Sequence, residues 1–131
     1  MILVDTTVWV DFFTGNQSLH VELLEKTIDQ NGDICICGVI LAEILQGIRD
    51  QKQYLKTKTY LDCLLFLPMN YDTFIKSADI YRQLRKKGIT IRKPIDCMIA
   101  AVSLEHQIPL LHNDRDFDAI ETHLDLKIVK V

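Results

Sequence analysis

Apolar residues fall into two patterns along this chain: short unbroken runs, and longer stretches where they recur every three or four positions. Met1-Ile2-Leu3-Val4 is a run of the first kind, and it stops at Asp5. A short, fully apolar run bounded by polar residues predicts a strand buried on both faces, hence one in the middle of a sheet. Asp5 then stands at the carboxyl end of that strand, which is where open α/β sheets bind ligands. Thr6–Thr14 follows as a short helix stopped by Gly15-Asn16. Ser18 caps a second helix with Val21, Leu24 and Ile28 on one face and Gly32 at its end. Ile34–Cys37 is a second strand, and Gly38 introduces a helix from Val39 to about Ile48. The polar stretch Arg49–Lys58 opens or joins another helix, and Leu64–Leu67 is a third strand closed by Pro68. Asp72 caps a long helix with Ile75, Ala78, Tyr81 and Leu84 inward, ending near Gly88. Pro94 suits a first helical turn, and Ile95, Met98, Ile99 and Val102 form the stripe behind it. Ile108–Leu111 is a fourth strand, Asp114–His123 a short helix or turn, and Leu126–Val131 alternates as a closing strand.

Strands alternating with helices predict a three-layer α/β/α fold: a mainly parallel central sheet of about five strands with helices on both faces. At 131 residues the chain reads as one domain, 1–131, with room for a real core. A hydrophobic fraction of 48% and a charged fraction of 25% agree with a globular chain. No apolar run approaches the roughly 20 residues that span a membrane, and the first residues lack the basic start of a signal peptide. Cys35, Cys37, Cys63 and Cys97 lie in apolar surroundings, as buried, reduced thiols do, so the expected location is cytoplasmic. Cys35 and Cys37 do not make a zinc site, because no Cys/His pair at ligand spacing completes one. The net charge of −3 argues against a general polyanion binder but leaves room for a local basic face.

Most of the acids have polar neighbours. Three differ: Asp5 follows the apolar run Ile2-Leu3-Val4, and Glu43 and Asp96 each stand alone inside one. Asp114, Asp116 and Asp118 follow the fourth strand and therefore also lie at a strand's carboxyl end. Taken singly, each has an ordinary explanation. Asp5 and Asp114 can cap helices, Asp96 suits the dipole of a first turn, and Glu43 can pair with a base. Helix caps alone do not demand carboxylates at two strand ends and a third in mid-helix. Converging carboxylates repel one another, which raises at least one pKa in a metal-free protein. A divalent cation relieves the repulsion, and oxygen ligands without His or Cys suit Mg²⁺ or Mn²⁺. Such sites commonly handle phosphates. Thr7 fits either a hydroxyl that supports an acid or a plain first-turn residue. Arg82, Arg85, Lys86, Lys87, Arg92 and Lys93 run directly into the helix bearing Asp96. That run is a solvated face or a grip on a phosphate backbone, and Arg115 is placed to meet a phosphate near the acids.

Asp5-Thr6-Thr7, Glu43 on its apolar helix, Ile95-Asp96-Cys97-Met98-Ile99-Ala100-Ala101 and Asn113-Asp114-Arg115-Asp116-Phe117 together resemble the acidic signature of PIN domains, most closely the VapC-type toxins of prokaryotic toxin–antitoxin pairs. The resemblance runs the length of the chain. It implies a homodimeric, Mg²⁺- or Mn²⁺-dependent endoribonuclease held inactive by a cognate antitoxin. It further implies that Asp5, Glu43, Asp96 and Asp114 are the catalytic, metal-binding quartet, with Asp116 as a further acid and Thr7 as the supporting hydroxyl. The charge pattern, apart from the resemblance, makes Arg85, Lys86, Lys87, Arg92, Lys93 and Arg115 the candidates to hold RNA. His112 departs from the threonine often found there. Three other readings compete: a DNA-directed nuclease, for which long insertions are lacking; an aspartyl-phosphate phosphohydrolase, for which Thr7 replaces an expected acid; and a catalytically silent PIN-like binding module, against which the full set of acids counts.

Overall fold

A computed structural model describes residues 1–131. Its elements, in chain order, are β1 (Ile2–Val4), α1 (Thr6–Thr14), α2 (Leu19–Asp29), β2 (Ile34–Cys37), α3 (Gly38–Gln46), α4 (Gln51–Leu61), β3 (Leu65–Leu67), α5 (Tyr71–Lys86), α6 (Pro94–His106), β4 (Leu110–Leu111) and α7 (Asp116–His123). The strands form a sheet in the order β3-β2-β1-β4, with every pairing parallel. The unbroken run at β1 is therefore central, as its composition demands, and Leu3 and Val4 are fully buried. Helices carry the chain from each strand to the next, giving the three-layer α/β/α arrangement.

The sheet has four strands where about five were expected. Leu126–Val131 makes a single parallel bridge, Leu110 to Ile128, supported by Leu110 N–H to Lys127 O and Val129 N–H to Leu110 O (both 2.9 Å). Its partner is the reason. β4 is two residues long, preceded by Pro109 and followed by the irregular stretch 112–114, so it offers no further ladder.

Two other expectations are corrected. The cap of α5 is Asn70 in a reciprocal capping box with Thr73, two residues before Asp72. Its buried residues are Thr73, Ser77, Ile80 and Leu84, while Ile75 and Ala78 are exposed and Tyr81 is half-buried. The buried face recurs every three or four residues through Ile80 and Leu84, and on it the Thr73 hydroxyl donates to the Glu105 carboxylate of α6 at 2.8 Å. Small side chains at Thr73 and Ser77 then set the face that meets α6. Cys63 is exposed, in contrast to buried Cys35, Cys37 and Cys97. It sits in the short turn between α4 and β3, outside the layers.

The order β3-β2-β1-β4 means that the chain leaves β1 toward β2 on one side and returns as β4 on the other. The carboxyl ends of β1 and β4 thus flank a topological switch point, the usual crevice of an open α/β sheet. α6 leads into β4 and runs antiparallel to it, so its first turn, with Asp96, is delivered to the same end.

Candidate active site

Asp5 follows β1 and caps α1. Its Oδ2 accepts the Thr7 N–H (3.1 Å) and the Thr7 hydroxyl (2.7 Å). The Thr7 oxygen in turn accepts the Asn113 N–H from the loop after β4 (3.2 Å). Thr7 is therefore a clasp between the ends of β1 and β4, and Asp5 is both a helix cap and a wall of the crevice. Glu43, on α3, accepts a hydrogen bond from the Thr6 hydroxyl (2.8 Å) and pairs with no base. Asp96 lies in the first turn of α6 and is buried.

A cavity of about 430 Å³ is lined by Asp5, Thr6, Thr7, Val10, Asp11, Glu43, Lys93, Asp96 and Asn113. Beside it, Asp96, Asp114 and Asp116 present carboxylate oxygens within 4.8 Å of one another. The structure thus brings the expected acids together as two overlapping groups, with Asp96 common to both. Asp114 and Asp116 do not line the cavity itself. Lys93 bridges toward the second group, 2.7 Å from Asp114 Oδ2 and 3.8 Å from Asp96 Oδ2. Arg92 Nη2 reaches both Asp116 oxygens, at 3.1 and 2.8 Å.

The loop holding Asp114 is fixed locally. Asp114 Oδ1 accepts the Asp116 N–H (2.9 Å), and the Asp114 N–H donates to His112 Nδ1 (3.1 Å). An accepting Nδ1 puts the imidazole proton on Nε2. His112, packed against Phe117 at 4.8 Å with the rings tilted by 43°, therefore supplies its own hydrogen bonding at the position where the resemblance differs. Burial lowers the pKa of His112, against the pull of Asp5, which favours this neutral form.

Burial is also what sets the acids apart. It raises the Asp5 pKa, and the hydrogen bonds from Thr7 oppose it. It pushes Asp96 up to about 7; Lys93 pulls that value down, while Asp5, Asp114 and Asp116 add to it. Like-charge repulsion is therefore the smaller cause of the raised pKa. Asp114 differs: burial works against its charge, but the hydrogen bonds from Lys93 and the Asp116 N–H prevail and hold its pKa below the usual range.

Asp96 Oδ2 is buried and accepts no hydrogen bond; Lys93 at 3.8 Å is beyond hydrogen-bonding distance. An orphan carboxylate oxygen inside a protein is costly unless something meets it. An all-oxygen donor set around such an atom fits a hard divalent cation.

Of the basic residues, only Arg92 and Lys93 touch this cluster. Arg85 lies over the Tyr81 ring at 5.7 Å, and Lys86 and Lys87 are exposed at the end of α5. Arg115 is exposed at the start of α7. Thr6, Asp11 and Asn113 line the cavity without having been singled out from the sequence. Thr6 and Asn113 had a signal, since they stand inside Asp5-Thr6-Thr7 and Asn113-Asp114-Arg115-Asp116-Phe117; Asp11 had none beyond proximity.

Comparison with known proteins agrees with this geometry. Residues 2–122 match the PIN domain family model. Ribonuclease VapC11 of Mycobacterium tuberculosis is 38% identical over 126 residues, covering 92% of this chain and 91% of its own. Ribonuclease VapC1 of Methanocaldococcus jannaschii is 26% identical over 121 residues, covering 92% and 81%. Among solved structures, VapBC2 from Rickettsia felis bound to a promoter DNA fragment has a TM-score of 0.78 at 21% identity, with 98% of each chain covered. VapBC-1 from nontypeable Haemophilus influenzae has a TM-score of 0.76 at 20% identity, covering 98% and 97%, which likewise establishes the fold. The chain belongs to the PIN domain family, in the branch that holds the VapC ribonucleases.

Proposed function

We propose that this chain is a divalent-metal-dependent endoribonuclease, the toxin of a toxin–antitoxin pair, hydrolysing RNA phosphodiester bonds at the crevice between β1 and β4. The observation that carries the reading is the unpartnered, buried Asp96 Oδ2 between Asp5 on one side and Asp114 and Asp116 on the other. Asp5, Glu43, Asp96 and Asp114 hold Mg²⁺ or Mn²⁺ in this reading, with Asp116 as the further acid. When bound, such an ion polarises a phosphoryl oxygen, activates water and neutralises charge on the leaving oxygen. The protein's own residues do the rest. Thr7 holds Asp5 in one orientation and ties it to the Asn113 loop. Thr6 orients Glu43, and His112 braces the backbone beneath Asp114. Lys93 and Arg92 bring positive charge to an acidic crevice that must admit a phosphate.

The antitoxin partner is proposed on the relatives, which are VapC ribonucleases, and on the VapBC complexes that share the fold. Pairing with a second copy is supported by exposed apolar side chains at Leu65 and Phe66 on the edge strand β3 and at Phe74 and Ile75 on α5. No helix is long and apolar enough to cross a membrane, and cytoplasmic action completes the reading.

The test is RNA cleavage by the purified chain with Mg²⁺ or Mn²⁺ and with EDTA. Cleavage is expected only with metal, leaving 5′-phosphate and 3′-hydroxyl ends. Undiminished cleavage in chelated protein, or cyclic phosphate products, defeats the proposal.

A further inference from the structure

Lys93 places a cation of the protein's own among the acids. Its ammonium is 2.7 Å from Asp114 Oδ2 and 3.8 Å from Asp96 Oδ2, in a cluster whose oxygens lie within 4.8 Å of one another. Nothing else claims this side chain. Lys93 is the N-cap residue of α6, but it makes no capping bond, and Pro94 at the first helical position keeps its backbone extended (φ −116°, ψ 105°). The side chain is 48% exposed, on a flexible four-carbon stem, so it can leave Asp114 without disturbing the core.

Resting on the metal-dependent reading above, we infer that Lys93 is a built-in counter-ion of the acid crevice, holding Asp114 in the metal-free protein and releasing it when a divalent cation enters. An ammonium and a divalent ion cannot share one carboxylate oxygen at close range, because their repulsion grows as the separation and the local dielectric fall. Entry of the ion therefore costs the Lys93–Asp114 pair, and the crevice binds metal more weakly than its acids alone would. The released ammonium remains on the cavity wall as a free cation, suited to a phosphate. The contrasting role, in which Lys93 only positions Asp114 as a ligand, has the opposite sign: removing Lys93 then weakens metal binding.

The experiment measures Mn²⁺ binding to the full chain without RNA, using the electron paramagnetic resonance signal of the free ion. Wild type, Lys93→Met and Lys93→Arg are compared, with circular dichroism to establish that each is folded. Lys93→Met is expected to bind Mn²⁺ about fivefold more tightly, the factor set by a half-exposed ion pair, while Lys93→Arg stays near wild type. Equal or weaker binding by Lys93→Met overturns the counter-ion role. If no folded form binds Mn²⁺, the metal-dependent reading fails as well, and the two failures are distinct.

Discussion

Arg92 and Lys93 are gripped by acids; Arg85, Lys86 and Lys87, a few residues earlier, are not. In the sequence they form one basic run. In the fold the run is cut by Gly88, which takes a left-handed φ of 80° and ends α5, and by the buried Ile91. Everything before the cut is the solvated end of a helix. Everything after it leads into the first turn of α6, beside Asp96, Asp114 and Asp116. Equal charges a few positions apart thus meet different partners: all remain open to solvent, and only Arg92 and Lys93 face opposite charge at hydrogen-bonding distance. Counting Lys and Arg in a window does not locate a phosphate grip; the turn that divides the window does.

The largest effect that separates the two halves concerns catalysis. Arg92→Gln with Lys93→Gln, at saturating Mg²⁺, should slow RNA cleavage by about 10- to 100-fold, because the two cations that would meet the phosphate are lost. Arg85→Gln with Lys86→Gln should slow it only a fewfold. Single-turnover rates decide, and equal losses would erase the division.

The next effect is on stability, and its sign follows from burial. Burial pushes the folded pKa of Asp96 up to about 7, from an ordinary aspartate value of 3.8. A carboxylate raised in this way makes the metal-free protein less stable as pH rises from the lower value through the upper one. Asp96→Asn removes the buried charge at nearly constant shape. It should raise stability in EDTA above pH 7 by about 1–3 kcal/mol, since one pKa unit is worth ~1.4 kcal/mol. The gain should vanish toward pH 4, and cleavage should be lost at every pH. Asp79→Asn, on the exposed face of α5, should move stability by no more than ~0.5 kcal/mol. Thermal melts across pH would refute the burial argument if Asp96→Asn melted lower than wild type in EDTA.

The smallest effect sharpens the role of the solvated half. If Arg85 and Lys86 follow an RNA backbone, neutralising both should lower the salt-dependence slope of RNA binding by about one unit each. An unchanged slope in titrations of the free protein leaves them as solvating charge alone.

Much of the architecture was legible because it rests on composition along one strand or one helix face. Ile2-Leu3-Val4 had to be central, so Asp5 had to lie at the sheet's carboxyl end. Ile95, Ile99 and Val102 marked α6, which carried Asp96 inward with them. What was not legible depends on angles that sequence does not encode. The periodicity of α5 favoured Ile75 and Ala78 as its inner face, yet the helix packs on Thr73, Ser77, Ile80 and Leu84, where Thr73 bonds Glu105 of α6. The ion pairs of Arg92 and Lys93 arise from the turn between α5 and α6, so the same residues read equally well as free cations. The acids were found as a set, but their division around Asp96 was not, because it depends on how far the loop after β4 swings from β1.

The Thr7–Asn113 bond joins residues 106 positions apart, whereas Thr6 and Glu43 are separated by 37. The crevice is therefore among the most non-local features of the molecule, and its two walls come from opposite ends of the chain. A chain emerging from its amino end can pair β1 with β2 early, but it has no Asp114 to set against Asp96 until β4 and the loop after it have been made. Contacts of this sequence separation carry the highest loop-closure cost and form late in folding. A nascent or truncated chain that stops before β4 can hold Asp5 and Glu43 in place and still lack the second group of acids. Synthesis of β4 and of the loop after it is thus the step that creates the site.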